Sequence, residues 1–334
     1  MKTYHIPIFV PHEGCPHDCV FCNQRQITGK AHTVTADEIK STIEENLKTM
    51  ESDALIEIAF FGGSFTGIPI EKQTELLEAA YPYVAEGRVH GIRCSTRADY
   101  INDAILDNLE AYGVTTIELG VQSTDSEVLS LSRRGHSFED VKRASELIKK
   151  RGISLGLQMM LGLPGDSEVK AIQTAQDLIS LEPQCVRIYP TLVVHKTALH
   201  RMYEDGLYSP LALEETVEML AKIMPMFLTR GIAIIRVGLQ TTDDINEKTV
   251  KGPYHPAIRE LAEGRIIRSV LENYASKGDL RVCVSPKNVS KAIGHGGCNK
   301  KYLSDKYGIR VNVSSNFFLD ENEIIINGIR TSIF

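Results

Sequence analysis

The chain has 334 residues, with 37 Lys and Arg against 43 Asp and Glu for a formal charge of −6, and 43% of it is hydrophobic. This is the balance of a globular protein of about two domains, or of one large barrel with an appendage. No apolar run approaches the roughly 18 residues of a membrane span, which excludes a transmembrane protein. The opening Met1-Lys2-Thr3-Tyr4-His5-Ile6-Pro7 has no apolar stretch of the signal-peptide kind, so a cytoplasmic chain is expected.

Apolar, β-rich runs then alternate with amphipathic segments, the pattern of βα units on a parallel sheet. Strands are predicted over 5–10, 56–61, 91–96, 116–121, 154–160 and 186–193. Thr35 and Glu38 form the capping box of a helix that puts Ile39, Ile43 and Leu47 on one face. Asn102 caps a short helix carrying Ile105 and Leu109, ended by Gly113. Ser137 with Asp140 opens another, with Val141, Ala144 and Ile148 inward and Gly152 at its end. Six strands in alternation with helices fit an α/β fold, a partial (β/α)6 TIM-like barrel; periodicity also allows a doubly wound sheet. Past residue 193 the rhythm changes to a long helix over 214–230, interrupted by Pro225, and one more strand over 232–238. From residue 258 a small α+β unit is expected: a helix over 260–275, a strand over 280–284, two short helices around 293–297, and strands over 310–313 and 323–327. The expected domains are 1–240 and 258–334.

Seven cysteines, three of them within eight residues, do not read as a disulfide framework but as a reducing compartment with one metal or cluster site. Cys15-Pro16-His17-Asp18-Cys19-Val20-Phe21-Cys22 directly follows the first strand. Three thiolates on one tight loop can hold three irons of a [4Fe–4S] cube and leave the fourth open. A zinc loop or buried free thiols are the other uses, though no second Cys/His pair follows at finger spacing. Cys94, Cys185, Cys283 and Cys298 lack paired spacing and read as buried thiols.

The triplet, with the aromatic Phe21 before its last cysteine, resembles the radical S-adenosylmethionine (SAM) superfamily. The resemblance implies a [4Fe–4S] cluster on Cys15, Cys19 and Cys22, whose open iron chelates SAM for reductive cleavage to methionine and a 5′-deoxyadenosyl radical. Phe61-Gly62-Gly63-Ser64-Phe65 matches the glycine pair whose backbone holds the SAM amino group, where only glycine lets main chain come so close. Glu118-Leu119-Gly120-Val121-Gln122-Ser123, followed by Arg133-Arg134-Gly135-His136, is similar to a pattern of coproporphyrinogen-oxidase-like and Elongator-like members. By that match Gln122 contacts the ribose side of SAM and Arg134 pairs with its carboxylate. Gln158, in Gln158-Met159-Met160-Leu161-Gly162-Leu163-Pro164-Gly165, falls at another SAM-contacting position. The resemblance spans 5–240 and is nearest the radical SAM domain of the Elongator catalytic subunit, through Ile188-Tyr189-Pro190-Thr191-Leu192-Val193 and Gly206-Leu207-Tyr208-Ser209-Pro210. That subunit modifies wobble uridine in tRNA and carries an acetyltransferase domain; no such domain is expected within these 334 residues. Where the relatives place a glutamate near the ribose, this chain has Ser95, whose hydroxyl can hydrogen-bond there. An electron donor such as a flavodoxin or ferredoxin is the implied partner.

Residues 281–310 carry Arg281, Lys287, Lys291, Lys300, Lys301, Lys306 and Arg310 against Asp305 alone, which suggests a polyanionic partner. Gly294-His295-Gly296-Gly297 lies between two short helices with strands outside them, and this order resembles a KH domain, whose Gly-x-x-Gly loop clamps single-stranded nucleic acid. RNA contact is therefore expected from Gly294, His295, Gly296, Gly297, Lys300 and Lys301; an interhelical packing turn is the structural use of the same residues. The expected function is a radical SAM enzyme acting on RNA, tRNA first. The alternatives are a radical SAM enzyme for a porphyrin-like or metabolic small molecule, and a non-catalytic RNA-binding protein with a metal-bound cysteine loop. No substrate-side acid or base stands out; Tyr189, Lys196 and Asp99 are placed by position only.

Overall fold

The structure is a computed structural model that describes residues 2–10, 19–22, 34–51, 53–239 and 248–334. In chain order it runs β1 (Thr3–Val10), α1 (Ala36–Leu47), β2 (Leu55–Gly62), α2 (Ile70–Ala85), β3 (Gly91–Thr96), α3 (Asp103–Ala111), β4 (Val114–Gln122), α4 (Ser126–Leu131), α5 (Phe138–Lys150), β5 (Ser154–Leu161), α6 (Glu168–Ser180) and β6 (Cys185–Pro190). It continues with β7 (Val193–Val194), α7 (Ala198–Glu204), α8 (Leu213–Leu228), β8 (Ala233–Val237) and β9 (Thr249–Lys251).

Seven strands make one curled half-barrel in the order β1-β2-β3-β4-β5-β6-β8, every neighbouring pair parallel. Side chains alternate between the two faces of each strand. One set, including Ile6, Ile58, Phe60, Leu119, Leu157 and Ile188, is buried in a single apolar core beneath the helices. The other set faces the concave side and carries the polar residues described below. Both expected capping boxes are present, at Thr35–Glu38 and Ser137–Asp140, and the Asn102 side chain accepts from Ile105 N–H.

Two local expectations are corrected. Pro225 does not interrupt α8: Val217, Leu220, Ile223, Met224 and Phe227 are buried along it and keep the helix continuous through the missing N–H. The run over 186–193 is two strands, because β7 leaves the barrel sheet and pairs antiparallel with β9.

The C-terminal unit comprises α9 (Ile258–Glu272), β10 (Leu280–Val284), α10 (Val289–Ile293), α11 (Cys298–Tyr307), β11 (Val311–Ser315), β12 (Glu323–Ile326) and β13 (Ile329–Ser332). Its strands form a separate sheet in the order β11-β10-β12-β13, with β10 and β11 parallel and the other neighbours antiparallel. β13 was not expected; it returns through Asn327 and Gly328, both at positive φ as a tight hairpin requires. α9 packs on α8, which seats the unit against the barrel's last helix. Among the described residues, no helix is long and apolar enough to cross a membrane.

Candidate active site

The described part of the cysteine loop is a tight turn in which Cys22 N–H donates to Cys19 O at 2.9 Å. Two backbone bonds hold it: Val20 N–H to Ser132 O at 3.1 Å, and Leu199 N–H to Val20 O at 2.7 Å. Val20 is buried with Val193, Leu199 and Tyr208, and Phe21 packs on that cluster. Phe21 is thus an apolar anchor for the turn that presents buried Cys19 and half-buried Cys22. Cys15 lies outside the described residues.

Beside the loop, β2 ends on Gly62 at φ +109°, where an added Cβ would stand 2.6 Å from Val10 O. Gly63 N–H donates to the same oxygen at 3.0 Å, and Ser64 follows with no capping bond from its side chain. Only glycine fits this crossing of two strand ends.

β4 ends on Gln122 at φ 74°, a left-handed conformation uncommon outside glycine. Its Oε1 accepts from Gln158 Nε2 on β5 at 3.0 Å. At Gly120 a Cβ would lie 2.9 Å from Arg134 Nη2 and 3.0 Å from Gln122 Nε2, so the missing side chain is the room these two occupy. Arg134 is 7% exposed. Its Nη2 donates to Gly120 O, its Nη1 donates to Cys19 Sγ at 3.6 Å, and its buried Nε has no partner among the described residues. Ser95 lies half-buried on β3, in register with Glu118 of β4. His136 follows close behind, its Nε2 3.3 Å from Val121 O and its Nδ1 4.0 Å from Asp99 Oδ1. Burial, then the charges of Arg134 and Arg97, push the His136 imidazole down to about 4, so it is neutral at physiological pH. Arg97 binds Asp99 through both arms at 2.9 Å.

Further down the concave face runs an ion ladder that sequence reasoning missed. His5 of β1 meets Glu57 of β2 at 3.4 Å, Glu57 meets Arg93 of β3 at 2.8 Å, and Arg93 meets Glu118 of β4 at 2.8 Å. Glu118 is held in turn by both Nε and Nη2 of Arg187 on β6, and Arg187 Nη1 donates to Tyr189 Oη at 3.5 Å. Burial alone would raise the Glu57 carboxyl, but the His5 bond and the Arg93 charge outweigh it and hold it at about 2. The signal was present: parallel strands covered on both faces read as unbroken apolar runs, and a lone charge in the middle of four of them marks a polar interior.

In the C-terminal unit, strand, helix, Gly294–Gly297 turn, helix and strand follow in the expected order. Gly294 is buried at φ +82°, and a Cβ there would strike Asn299 N at 2.6 Å and Cys298 Sγ at 2.7 Å. Asn299 donates to Gly264 O of α9 and to Lys291 O of α10, so this half of the turn is spent on joining helices. Gly296 and Gly297 have open space where a side chain would be, and His295, Lys300 and Lys301 are exposed. The basic surplus is largely cancelled in space: Lys287 pairs with Glu321, Lys291 with Glu263, Lys306 with Glu272 and Arg310 with Asp279. Cys298 is also exposed, contrary to expectation, because it opens α11 just where the glycine turn comes to the surface; Cys283 is half-buried, and Cys94 and Cys185 are buried.

Comparison with known proteins matches residues 9–178 to the Radical SAM superfamily and residues 183–268 to the Radical_SAM C-terminal domain. The chain belongs to the radical SAM superfamily. This radical SAM protein is 27% identical over 266 residues to a tRNA uridine(34) acetyltransferase of Methanocaldococcus jannaschii, covering 67% of the chain and 49% of the relative. It is 34% identical over 223 residues to the uncharacterized protein MJ0486 of the same organism, covering 63% of the chain and 67% of the relative. Elongator complex protein 3 of Homo sapiens is 27% identical over 252 residues, covering 69% of the chain and 45% of the relative. The chain spans about half the length of these acetyltransferase and Elongator relatives. The fold of Methanocaldococcus infernus Elp3, lacking its N-terminal residues 1–46, superposes with a TM-score of 0.63 at 22% identity, over 83% of this chain and 68% of that one.

The cofactors of this superfamily, and so of this enzyme, are a [4Fe–4S] cluster and SAM. The described residues fit them. Cys19 and Cys22 are the soft donors a cluster takes. The buried Arg134 Nε, which has no partner among the described residues, is a donor placed for an anionic acceptor, and the Gly62 and Gly120 positions keep side chains away from the strand ends.

Proposed function

We propose that this radical SAM enzyme acts on RNA, and on tRNA in particular. The observation that carries the reading is the match over two thirds of the chain to a protein named as a tRNA uridine(34) acetyltransferase. Exposed Lys300 and Lys301 beside the open half of the glycine turn support it, since neither has an acid partner among the described residues.

When bound, the cluster and SAM supply a 5′-deoxyadenosyl radical by reductive cleavage. The protein's own residues prepare the place. Cys15, Cys19 and Cys22 hold the cluster, with Val20 and Phe21 plugging the turn into apolar packing that excludes water. Gly62, Gly63 and Ser64 offer main chain to the SAM amino group, and Arg134 presents its Nε to the carboxylate while its other two nitrogens stay anchored. Gln122 and Gln158, already bonded to each other, and Ser95 supply polar contacts to the ribose side. Neutral His136 adds no competing charge behind Arg134. His295, Gly296, Gly297, Lys300 and Lys301 contact the RNA backbone; Gly294 shapes the turn.

The test is anaerobic turnover of the reconstituted protein with SAM and dithionite, with and without total tRNA, measuring 5′-deoxyadenosine. An increase with tRNA supports the reading, and Lys300→Glu/Lys301→Glu should then weaken tRNA binding and flatten its salt dependence. The cancellation of four of the seven basic charges favours the second reading, a small-molecule substrate with a structural C-terminal unit; deoxyadenosine indifferent to tRNA would select it.

A further inference from the structure

The most exposed large apolar side chains of the described residues are neighbours in sequence: Phe317 at 85% and Phe318 at 92% exposure, at the C-terminal end of β11. Their turn is rigidly built. Asn316 N–H donates to Val284 O at 2.8 Å, and Asn316 Oδ1 accepts from Phe318 N–H at 2.9 Å. Leu319, the next residue, is 7% exposed and drives the turn into the core. Asn288 Nδ2 donates to Glu321 O at 2.6 Å, and Lys287 pairs with the Glu321 carboxylate at 2.5 Å. The turn thus buries Leu319 and holds two phenylalanine rings in solvent, and among the described residues neither ring meets another ring or a cation.

The sheet behind this turn has one free face. Leu280, Val282, Val284, Ile324 and Ile326 are buried on the side where α10 and α11 pack. The alternate residues Arg281 of β10, Asn312 of β11 and Arg330 of β13 are exposed on the other, around half-buried Cys283 and Ile325. Among the described residues, Arg281 has no acid partner. Glu321 and Glu323 at the turn are paired with Lys287 and with Arg330, each at 2.5 Å, while exposed Asp320 beside them has no salt bridge among the described residues.

We propose that Phe317 and Phe318 form a stacking platform for unpaired bases of a single-stranded RNA segment, with the strand lying along the free face of the β10–β13 sheet and Arg281 meeting its phosphates. This rests on the reading of RNA as the substrate. A bilayer or an apolar protein groove would match the rings but not the polar, cation-bearing sheet beside them. Rings held out on a hydrogen-bonded turn suit the uncharged face of a base, and base–aromatic stacking contributes enough to be read out by single substitutions. This platform is separate from the glycine turn, which lies among the helices on the opposite side of the sheet.

The chain contains no tryptophan, so Phe318→Trp installs a single fluorescent reporter. Oligouridylate should quench it and a duplex RNA of equal length should not. Phe317→Ala/Phe318→Ala should bind tRNA at least about fivefold more weakly at low and high salt alike, since one stacked base is worth that much or more. Phe317→Leu/Phe318→Leu should be as weak as the alanine pair. Leucines that bind as well as phenylalanines, or an alanine pair with unaltered tRNA affinity, would overturn the platform while leaving RNA as substrate. A wild-type protein that binds no tRNA would remove the substrate reading and the platform together. Quenching of the tryptophan by vesicles, or a wild-type dimer that the alanine pair dissolves in sedimentation, would assign the rings to a membrane or to a second copy and overturn the proposal.

Discussion

Replacing Glu118 by glutamine tests whether the ion ladder is held in a low-dielectric interior. Glu118 is 4% exposed, and its two oxygens serve Arg93 and Arg187, whose side chains are 8% and 12% exposed. Glutamine keeps the shape but removes the charge, leaving two buried guanidiniums with Glu57 as the one carboxylate left in the ladder. Removing one member of a buried pair costs about 3–5 kcal/mol. An unfolding entropy near 2.1 cal/mol/K per residue gives about 0.7 kcal/mol/K for this chain, so the melting temperature should fall by about 4–7 °C. Scanning calorimetry of the anaerobically reconstituted protein measures it, with the urea midpoint as a second reading. The control is Glu44→Gln, which breaks an equally well-formed pair with Arg88, at 2.7 and 2.9 Å, on the exposed surface. That pair is screened by water and should leave the melting temperature unmoved. If Glu118→Gln is no more damaging than Glu44→Gln, the ladder is solvated and the reasoning is wrong.

Three further outcomes follow from the site. Gly120→Ala should leave stability within about 1 kcal/mol, because the atoms it meets are the ends of the Arg134 and Gln122 side chains; by displacing both it should weaken SAM binding at least tenfold in equilibrium dialysis, and unchanged SAM affinity would show that the cradle has no part in binding. His136 titrates near 4 when folded and near 6.5 when unfolded, so the unfolded chain takes up a proton that the native one refuses. Stability is therefore complete above pH 6.5 and declines by about 3 kcal/mol as pH falls to 4; urea midpoints across that window should lose this slope in His136→Asn, and a slope that persists would assign it elsewhere. Burial, with the Glu118 charge adding to it, pushes the thiols of Cys94 up to about 12 and of Cys185 up to about 11. Peptide mass spectrometry after brief alkylation of the native protein should find exposed Cys298 modified and these two intact; their prompt labelling would contradict the packing.

Much of the half-barrel is local chemistry and so was legible. Thr35, Asn102 and Ser137 cap helices through bonds made within four residues, and the strands announce themselves by apolar runs. The turn at Gly62 was likewise marked by its neighbouring glycine, whereas the room that Gly120 leaves for Arg134 and Gln122 shows only once β4 and the segment after α4 are packed. What escaped depends on contacts between distant segments. The positive count over 281–310 ignored Glu263, Glu272, Asp279 and Glu321, which lie outside that window and reach back into it. Pro225 reads as a break until the apolar stripe on both sides of it is seen packed. β13 was the avoidable omission, since Asn327-Gly328 is the strongest short hairpin signal a sequence offers. The lone charges Glu57, Arg93, Glu118 and Arg187 were a visible sign of a polar interior, but their pairing escaped because these residues lie far apart in the chain and meet only when the strands are set side by side.

The two outer strands of the half-barrel, β1 and β8, stand at opposite ends of the sheet order and do not pair with each other among the described residues. A fully closed ring of strands admits a ligand only through its mouth, and a long polymer would have to offer a terminus or a loop small enough to enter. An arc with a gap along its length can be approached broadside. For the RNA substrate proposed above, this means that one nucleotide can lie in the concavity while the rest stays outside, so neither a free end nor wholesale unfolding is demanded of it. The span of the arc then limits how thick an entering segment can be, independently of any residue that recognises it.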